Sequence, residues 1–129
     1  METSKKPSKT ILWTSYVLQG IIVLMFLMGA IMNLLQTEEA VTGATAMGYP
    51  ESSVLYLGIV LLFGTLLYAY SKTVIIGAII LTGWLGGAVA THVIHKDPIF
   101  NLVFPVIFGI IVWLSIWLRN EKLKALLSN

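Results

Sequence analysis

The chain has 129 residues, of which 57% are hydrophobic and 11% are charged, whereas roughly a quarter are charged in an ordinary soluble domain. It has no cysteine, which excludes a thiol or disulfide relay built from this chain. The charged residues form five clusters that separate uncharged runs of 28, 20, 23 and 21 residues, at 10–37, 52–71, 73–95 and 98–118. Each run reaches the roughly 20 residues that a helix needs to cross a bilayer. The composition therefore predicts an all-α integral membrane protein with four transmembrane helices in one bundle.

The first predicted span covers about residues 11–35 and follows a basic segment that contains Lys5, Lys6 and Lys9. Residues 44–46 resemble a signal-peptidase site, but the apolar run is much longer than the roughly 7–15 residues of a signal-peptide core. We therefore expect this helix to be retained.

The remaining spans are expected at about 53–70, 73–95 and 99–118, within a single domain that covers residues 1–129. Pro105 cannot donate a backbone hydrogen bond, so it should kink the fourth span. The leucines of residues 119–127 predict a short amphipathic tail.

The basic residues are unevenly distributed between the two sides of this arrangement. Seven of the eight Lys and Arg residues lie in the N-terminal segment, the turn at residues 71–72 and the C-terminal tail, and Lys96 is the exception. Residues 36–51 carry three carboxylates and no basic residue. By the positive-inside rule, both termini are expected in the cytoplasm and residues 36–51, which are expected to form a loop, outside.

The third span carries small side chains at intervals of four residues. We call them the small-residue face: Ala78, Thr82, Gly83, Gly86, Gly87 and Ala90. Small residues allow helix backbones to approach closely in lipid, so this face is predicted to pack against a helix and the third span to be central. The sequence leaves open whether that helix belongs to the same bundle, to a second copy or to another membrane protein.

Several uncommon polar or aromatic groups are predicted in the outer half of the membrane. The candidate ligand contacts are His92, Tyr49, Tyr56, Asn33 and Asn101 in this outer half, and Trp84 near the membrane midplane. They either form a polar mouth that opens outward or lie in the headgroup layer, where such residues are common. Trp84 either fills a gap between helices or lines a cavity.

His92 is the candidate with the most definite chemistry. Its charge changes near neutral pH, so it could bind a quinone carbonyl or pass a proton. His92 and His95 lie one turn apart, but a metal site needs three or four ligands, so no metal site is predicted.

The chain lacks several recognisable functional motifs. It has no phosphate-binding glycine loop, nucleophile elbow, paired-cysteine metal motif or basic nucleic-acid patch. We therefore assign no catalytic residue, covalently bound cofactor or nucleic-acid partner. A coupled ion transporter is also disfavoured, because no acidic or basic side chain lies within a predicted span.

Four segments, at residues 48–51, 56–59, 77–92 and 117–120, resemble the DoxX-like family of small bacterial four-helix membrane proteins. The similarity covers about residues 11–120. It implies a bundle in the bacterial inner membrane and, more loosely, an association with membrane redox complexes or with assembly of other membrane proteins. The chain departs from the family at Asn33, where many members have Lys, and at Leu61, where many have Glu.

Two functional hypotheses follow. The first is a redox-associated subunit that binds a quinone or similar apolar molecule and carries no redox centre of its own. The second is a non-catalytic assembly partner that docks another membrane helix through its small-residue face, and transport of a small neutral solute is a third, weaker alternative. Whether the protein is an enzyme is left open.

Overall fold

The computed structural model describes residues 6–128, so Lys5 of the predicted basic segment lies outside the described residues. Within that range the secondary structure is entirely helical. The helices are α1 (Lys9–Leu34), α2 (Glu38–Ala46), α3 (Ser53–Ala69), α4 (Val74–Ile94), α5 (Ile99–Trp117) and α6 (Glu121–Ser128).

The four long helices form an antiparallel ring. α1 and α4 each pack against both α3 and α5, and across the described residues the helix backbones do not approach closely on either diagonal. One side chain crosses a diagonal, since the hydroxyl of Tyr68 on α3 bonds Val112 and Ser115 of α5. We call the end that carries α6 and the turn between α3 and α4 the terminal end, and the opposite end the α2 end. The expectation that the third span is central is wrong, since α4 has two long-helix neighbours like every other member of the ring.

The long helices are apolar on every side rather than along one stripe. The buried core is narrow and includes Ile22, Leu81 and Val112, while large side chains such as Leu24 and Phe63 are exposed. A helix that is apolar all round is typical of a membrane segment. By length and composition, α1, α4 and α5 can each cross a membrane, whereas α3 is apolar but has only 17 residues.

Helix α4 approaches its neighbour through a glycine outside the small-residue face. A Cβ added to Gly77 would lie 2.1 Å from the backbone nitrogen of Tyr68, so the backbones of α3 and α4 are in direct contact there. In the small-residue face only Ala78 is buried. Added Cβ atoms at Gly83, Gly86 and Gly87 would meet nothing within 4 Å. The three glycines therefore do not join helix backbones within this bundle, although Thr82 of the same face accepts a hydrogen bond from the indole N–H of Trp113 on α5 at 2.7 Å. The use of this face between molecules stays a prediction.

Helix α2 was not predicted from the sequence, which indicated only a loop. Thr37 caps it by accepting a hydrogen bond from the backbone N–H of Ala40 at 3.2 Å. Glu38 and Glu39 occupy its first turn, where carboxylates are favoured by the helix dipole. These features form an N-terminal helix signature that the expectation of a loop overlooked.

Candidate functional site

Two cavities open at the α2 end of the bundle. The first has a volume of about 500 Å³ and lies among α1, α3, α4 and α5. The second has a volume of about 350 Å³ and lies beneath α2, against α4. Both volumes fall within the range of roughly 300–1,000 Å³ that is usual for small-molecule sites.

The two cavities share one wall, which is formed by three residues of α4. Trp84, Ala88 and His92 line both cavities. The helical repeat brings these side chains to the same side of α4, because each is four residues from the next. The Trp84 indole N–H donates to the backbone carbonyl of Leu57 at 3.3 Å, which ties the wall to α3.

His92 is oriented by the way in which α4 ends. Lys96 adopts a left-handed conformation with a φ of 60°. The backbone N–H of Asp97 donates to the carbonyl of His92 at 3.0 Å and that of Lys96 to Val93 at 3.1 Å, as in a Schellman motif. This turn folds Asp97 back over the last turn of α4, within reach of His92.

The Asp97 carboxylate accepts hydrogen bonds from two histidines. Its oxygens lie 2.6 Å from Nδ1 of His92 and 2.7 Å from Nδ1 of His95. An ionised carboxylate can only accept, so Nδ1 carries the proton in both rings. In the part of the chain that the structure describes, Nε2 of His92 has no hydrogen-bond partner.

These contacts change the pKa values of His95 and Asp97 at the end of α4. The hydrogen bond to Asp97 and the charge of that carboxylate raise the pKa of His95. The hydrogen bonds from His92 and then from His95 lower the pKa of Asp97. Within residues 6–128, no three His, Cys, Asp or Glu residues are grouped so that they could hold a metal ion.

The structure brings together five of the six candidate contacts. Asn101 lines the first cavity, one turn before Pro105, which interrupts the hydrogen bonding of α5 without ending the helix. Asn33 and Tyr49 line the second cavity, and the hydroxyl of Tyr49 bonds that of Thr91 at 2.5 Å. Tyr56 is 66% exposed and lines neither cavity.

The glycines of the small-residue face contribute to the second cavity. Gly83 and Gly87 line it, and Gly86 does not. Side chains at Gly83 and Gly87 would occupy space that is empty in this bundle. Open volume beside the shared wall is therefore one observed consequence of these glycines.

A polar network at the terminal end joins α1, α3 and α5. The guanidinium of Arg119 donates to Ser15 Oγ at 2.5 Å, to the Ser115 carbonyl at 3.0 Å and to Gln19 Oε1. Gln19 in turn donates to the carbonyl of Tyr68 at 2.8 Å. The sequence assigned Arg119 only to the basic C-terminal tail, and its hydrogen bond to Gln19 was not predicted. Because about 100 residues separate Gln19 from Arg119 in the sequence, no local sequence pattern could indicate this hydrogen bond.

The comparison with protein families gives one match. The sequence profile of the DoxX-like family matches residues 17–115, which include every residue that lines the two cavities. No curated protein and no solved structure matches this chain. The match confirms the family resemblance in residues 48–51, 56–59 and 77–92.

Proposed function

The chain belongs to the DoxX-like family and is a membrane protein, and from this premise we propose that it binds a quinone or a similar apolar ring molecule at the α2 end, as a redox-associated subunit of the bacterial inner membrane. The observation that carries the proposal is the wall of Trp84, Ala88 and His92 shared by two cavities. It combines apolar surface with one oriented, titratable group.

The first cavity supplies surroundings that suit an apolar ring. Phe26 and Phe108 line it and meet edge to face, with ring centroids 6.0 Å apart. Trp84 adds a flat aromatic surface that is fixed through its indole N–H. Aromatic walls with a few placed polar groups are the usual lining of small-molecule sites.

His92 supplies the polar contact in this proposal. With Nδ1 held by Asp97, a neutral His92 can accept a hydrogen bond from a quinol hydroxyl through Nε2. A protonated His92 can instead donate from Nε2 to a quinone carbonyl. The proposal assigns no electron-transfer step to this chain, whose role is to hold the ligand and exchange a proton with it.

We further propose that all four long helices cross the membrane, with both termini in the cytoplasm. α3 is the shortest, and its 17 residues span roughly 26 Å against a hydrocarbon core of about 30 Å. Of the basic residues that the structure describes, all but Lys96 belong to the terminal end. That distribution supports a cytoplasmic terminal end.

The ligand proposal is tested by equilibrium titration of a short-chain quinone into the protein in lipid nanodiscs. His92→Gln is expected to weaken binding about fivefold, the equivalent of one hydrogen bond worth about 1 kcal/mol. His95→Gln is the matched control, because His95 also bonds Asp97 but lines neither cavity. Equal affinities for His92→Gln and the unaltered protein would contradict the proposal.

A second function, as an assembly partner for another membrane helix, is favoured by the open side of α4. Gly86 lines neither cavity, and an added Cβ there meets nothing within 4 Å. Gly86→Leu is therefore expected to abolish a co-purifying membrane protein while leaving quinone affinity unchanged. Ile79→Leu, at an exposed position of the same helix, is the control. A partner retained by Gly86→Leu would argue against this face.

A further inference from the structure

A third cavity, of about 630 Å³, lies at the terminal end, on the opposite side of the molecule from the candidate quinone site. Three cations line it, Lys6, Arg119 and Lys122, together with the single carboxylate of Glu121. That carboxylate lies 3.7 Å from the ammonium of Lys124, which does not line the cavity. The cavity therefore has an excess of positive charge, and its one anionic group has a cationic partner elsewhere.

Arg119 is only partly exposed and has no anionic partner among residues 6–128. Its hydrogen bonds go to neutral groups, Ser15, Gln19 and the Ser115 carbonyl, and its guanidinium carbon lies 4.4 Å from the centre of the Tyr16 ring. Three of the five guanidinium N–H groups are used in these bonds, which leaves two for a ligand. Neutral partners orient the guanidinium but do not balance its charge.

The rest of the wall combines apolar side chains with the polar residues Tyr16, Ser71 and Asn120. Leu12, Val74 and Ile116 line the cavity beside the cations, and each belongs to a helix of the bundle. A ligand there would meet both cations and apolar helix surface. A phospholipid has this combination of an anionic phosphate and apolar chains, whereas free phosphate lacks the apolar part.

We propose that this cavity binds the headgroup phosphate of an anionic phospholipid, with Arg119, Lys6 and Lys122 as its cationic contacts. Arginine matches the geometry of phosphate oxygens, and lysines at a membrane surface attract anionic lipid. The site needs the terminal end to lie at a membrane surface, in either leaflet. It does not depend on quinone binding at the α2 end.

The experiment uses the full chain and native mass spectrometry with defined lipids. The protein is exchanged into mixed micelles with equal amounts of phosphatidylglycerol and phosphatidylcholine, and the retained lipid is counted. We expect selective retention of one phosphatidylglycerol. The Lys6→Gln, Lys122→Gln double variant should weaken that retention by about fivefold or more, since each cation near an anionic surface contributes a factor of this order.

The Lys9→Gln, Lys72→Gln double variant is the charge-matched control, because it also removes two positive charges from the terminal end and neither lysine lines the cavity. It should retain phosphatidylglycerol as the unaltered protein does. Arg119→Gln should lose the lipid as well, but it also removes contacts between helices, so the lysine variants decide the result. Equal retention of the two lipids, or equal weakening by the Lys9→Gln, Lys72→Gln control, would overturn the site.

A separate measurement distinguishes lipid from free phosphate. Inorganic phosphate is added to the protein in phosphatidylcholine nanodiscs, and the thermal midpoint is compared with that in nanodiscs containing phosphatidylglycerol. We expect a higher midpoint with the anionic lipid and no shift with millimolar inorganic phosphate. A shift with inorganic phosphate and none with phosphatidylglycerol would overturn the lipid assignment.

Discussion

The two ends of this bundle are built from the same four helices, but the helices contact one another differently at each end. At the terminal end, Tyr68 is fully buried, Gly77 brings two backbones together and Arg119 joins helices through its hydrogen bonds. At the α2 end, two cavities remain open, and Gly83 and Gly87 enlarge one of them. Unfilled volume costs packing energy. The terminal end has a cavity as well, so the difference lies in how the helices are held there: buried hydrogen bonds and a backbone contact join them and offset the cost of open volume.

The largest expected effect tests the close contact between α3 and α4. Gly77→Ala should lower the free energy of unfolding by about 3 kcal/mol, because its Cβ would overlap the Tyr68 backbone and rigid backbone must move. Unfolding in mixed micelles would measure the change. Gly86→Ala is the control and should alter stability by no more than about 1 kcal/mol. Equal losses of stability in Gly77→Ala and Gly86→Ala would contradict the conclusion that α4 is closely packed at Gly77 and open at Gly86.

An intermediate effect is expected from the hydroxyl of Tyr68. It donates to the Val112 carbonyl at 2.9 Å and lies 2.5 Å from Ser115 Oγ. Tyr68→Phe leaves these buried oxygens with fewer partners and should cost about 1 kcal/mol of stability in the same assay. Tyr70→Phe, at a 57% exposed position beyond the end of α3, should cost nothing measurable. If Tyr68→Phe leaves the free energy of unfolding unchanged, the hydrogen-bond network contributes little to the stability of the terminal end.

The smallest effect concerns pH and the histidine–aspartate cluster at the α2 end. The pKa of His95 is raised from 6.5, so its stabilising contribution is present below that pH and is lost as pH rises through the raised value. The pKa of Asp97 is lowered from 3.8, so its contribution is present above that pH and is lost as pH falls through the lowered value. Stabilisation by the cluster is therefore greatest between these two ordinary pKa values.

The thermal midpoint should accordingly fall modestly as pH is raised from about 6 to about 8.5. Asp97→Asn should flatten this part of the profile, because it removes the charge that both histidines face. Glu51→Gln, which removes a carboxylate elsewhere at the α2 end, should leave the slope unchanged. If the thermal midpoint of Asp97→Asn still falls with pH as in the unaltered protein, the pH dependence comes from other groups.

Sequence reasoning grouped residues that the structure brings near one another, whereas it did not predict how the helices pack. His92, Asn101, Asn33 and Tyr49 were selected as rare polar or aromatic groups in the outer half of the membrane, and Trp84 as an aromatic group near its midplane. The structure places each beside a cavity, and their role in binding stays a prediction. Depth follows from counting residues along a helix, so it is accessible without tertiary information. Tyr56 has the same depth but points outward, because depth does not determine which side of a helix faces the bundle.

The small-residue face illustrates the same limit. Its spacing was read correctly, but in lipid the apolar character of a side chain does not distinguish the core from the bilayer. The buried stripe of α4 instead contains Ala78, Leu81 and Leu85. Gly77 could be recognised as the close contact only once Tyr68 was located opposite it.

By itself, the sequence determined the helical, membrane-embedded character of this protein and the positions of its long helices. Both follow from uncharged runs, which are properties of consecutive residues. Only the tertiary structure decided which residues share a cavity, that Asp97 holds both His92 and His95, and that Arg119 reaches Ser15 and Gln19. Those contacts depend on the rotation of each helix about its axis, which in an apolar helix is set by side chains of the neighbouring helices.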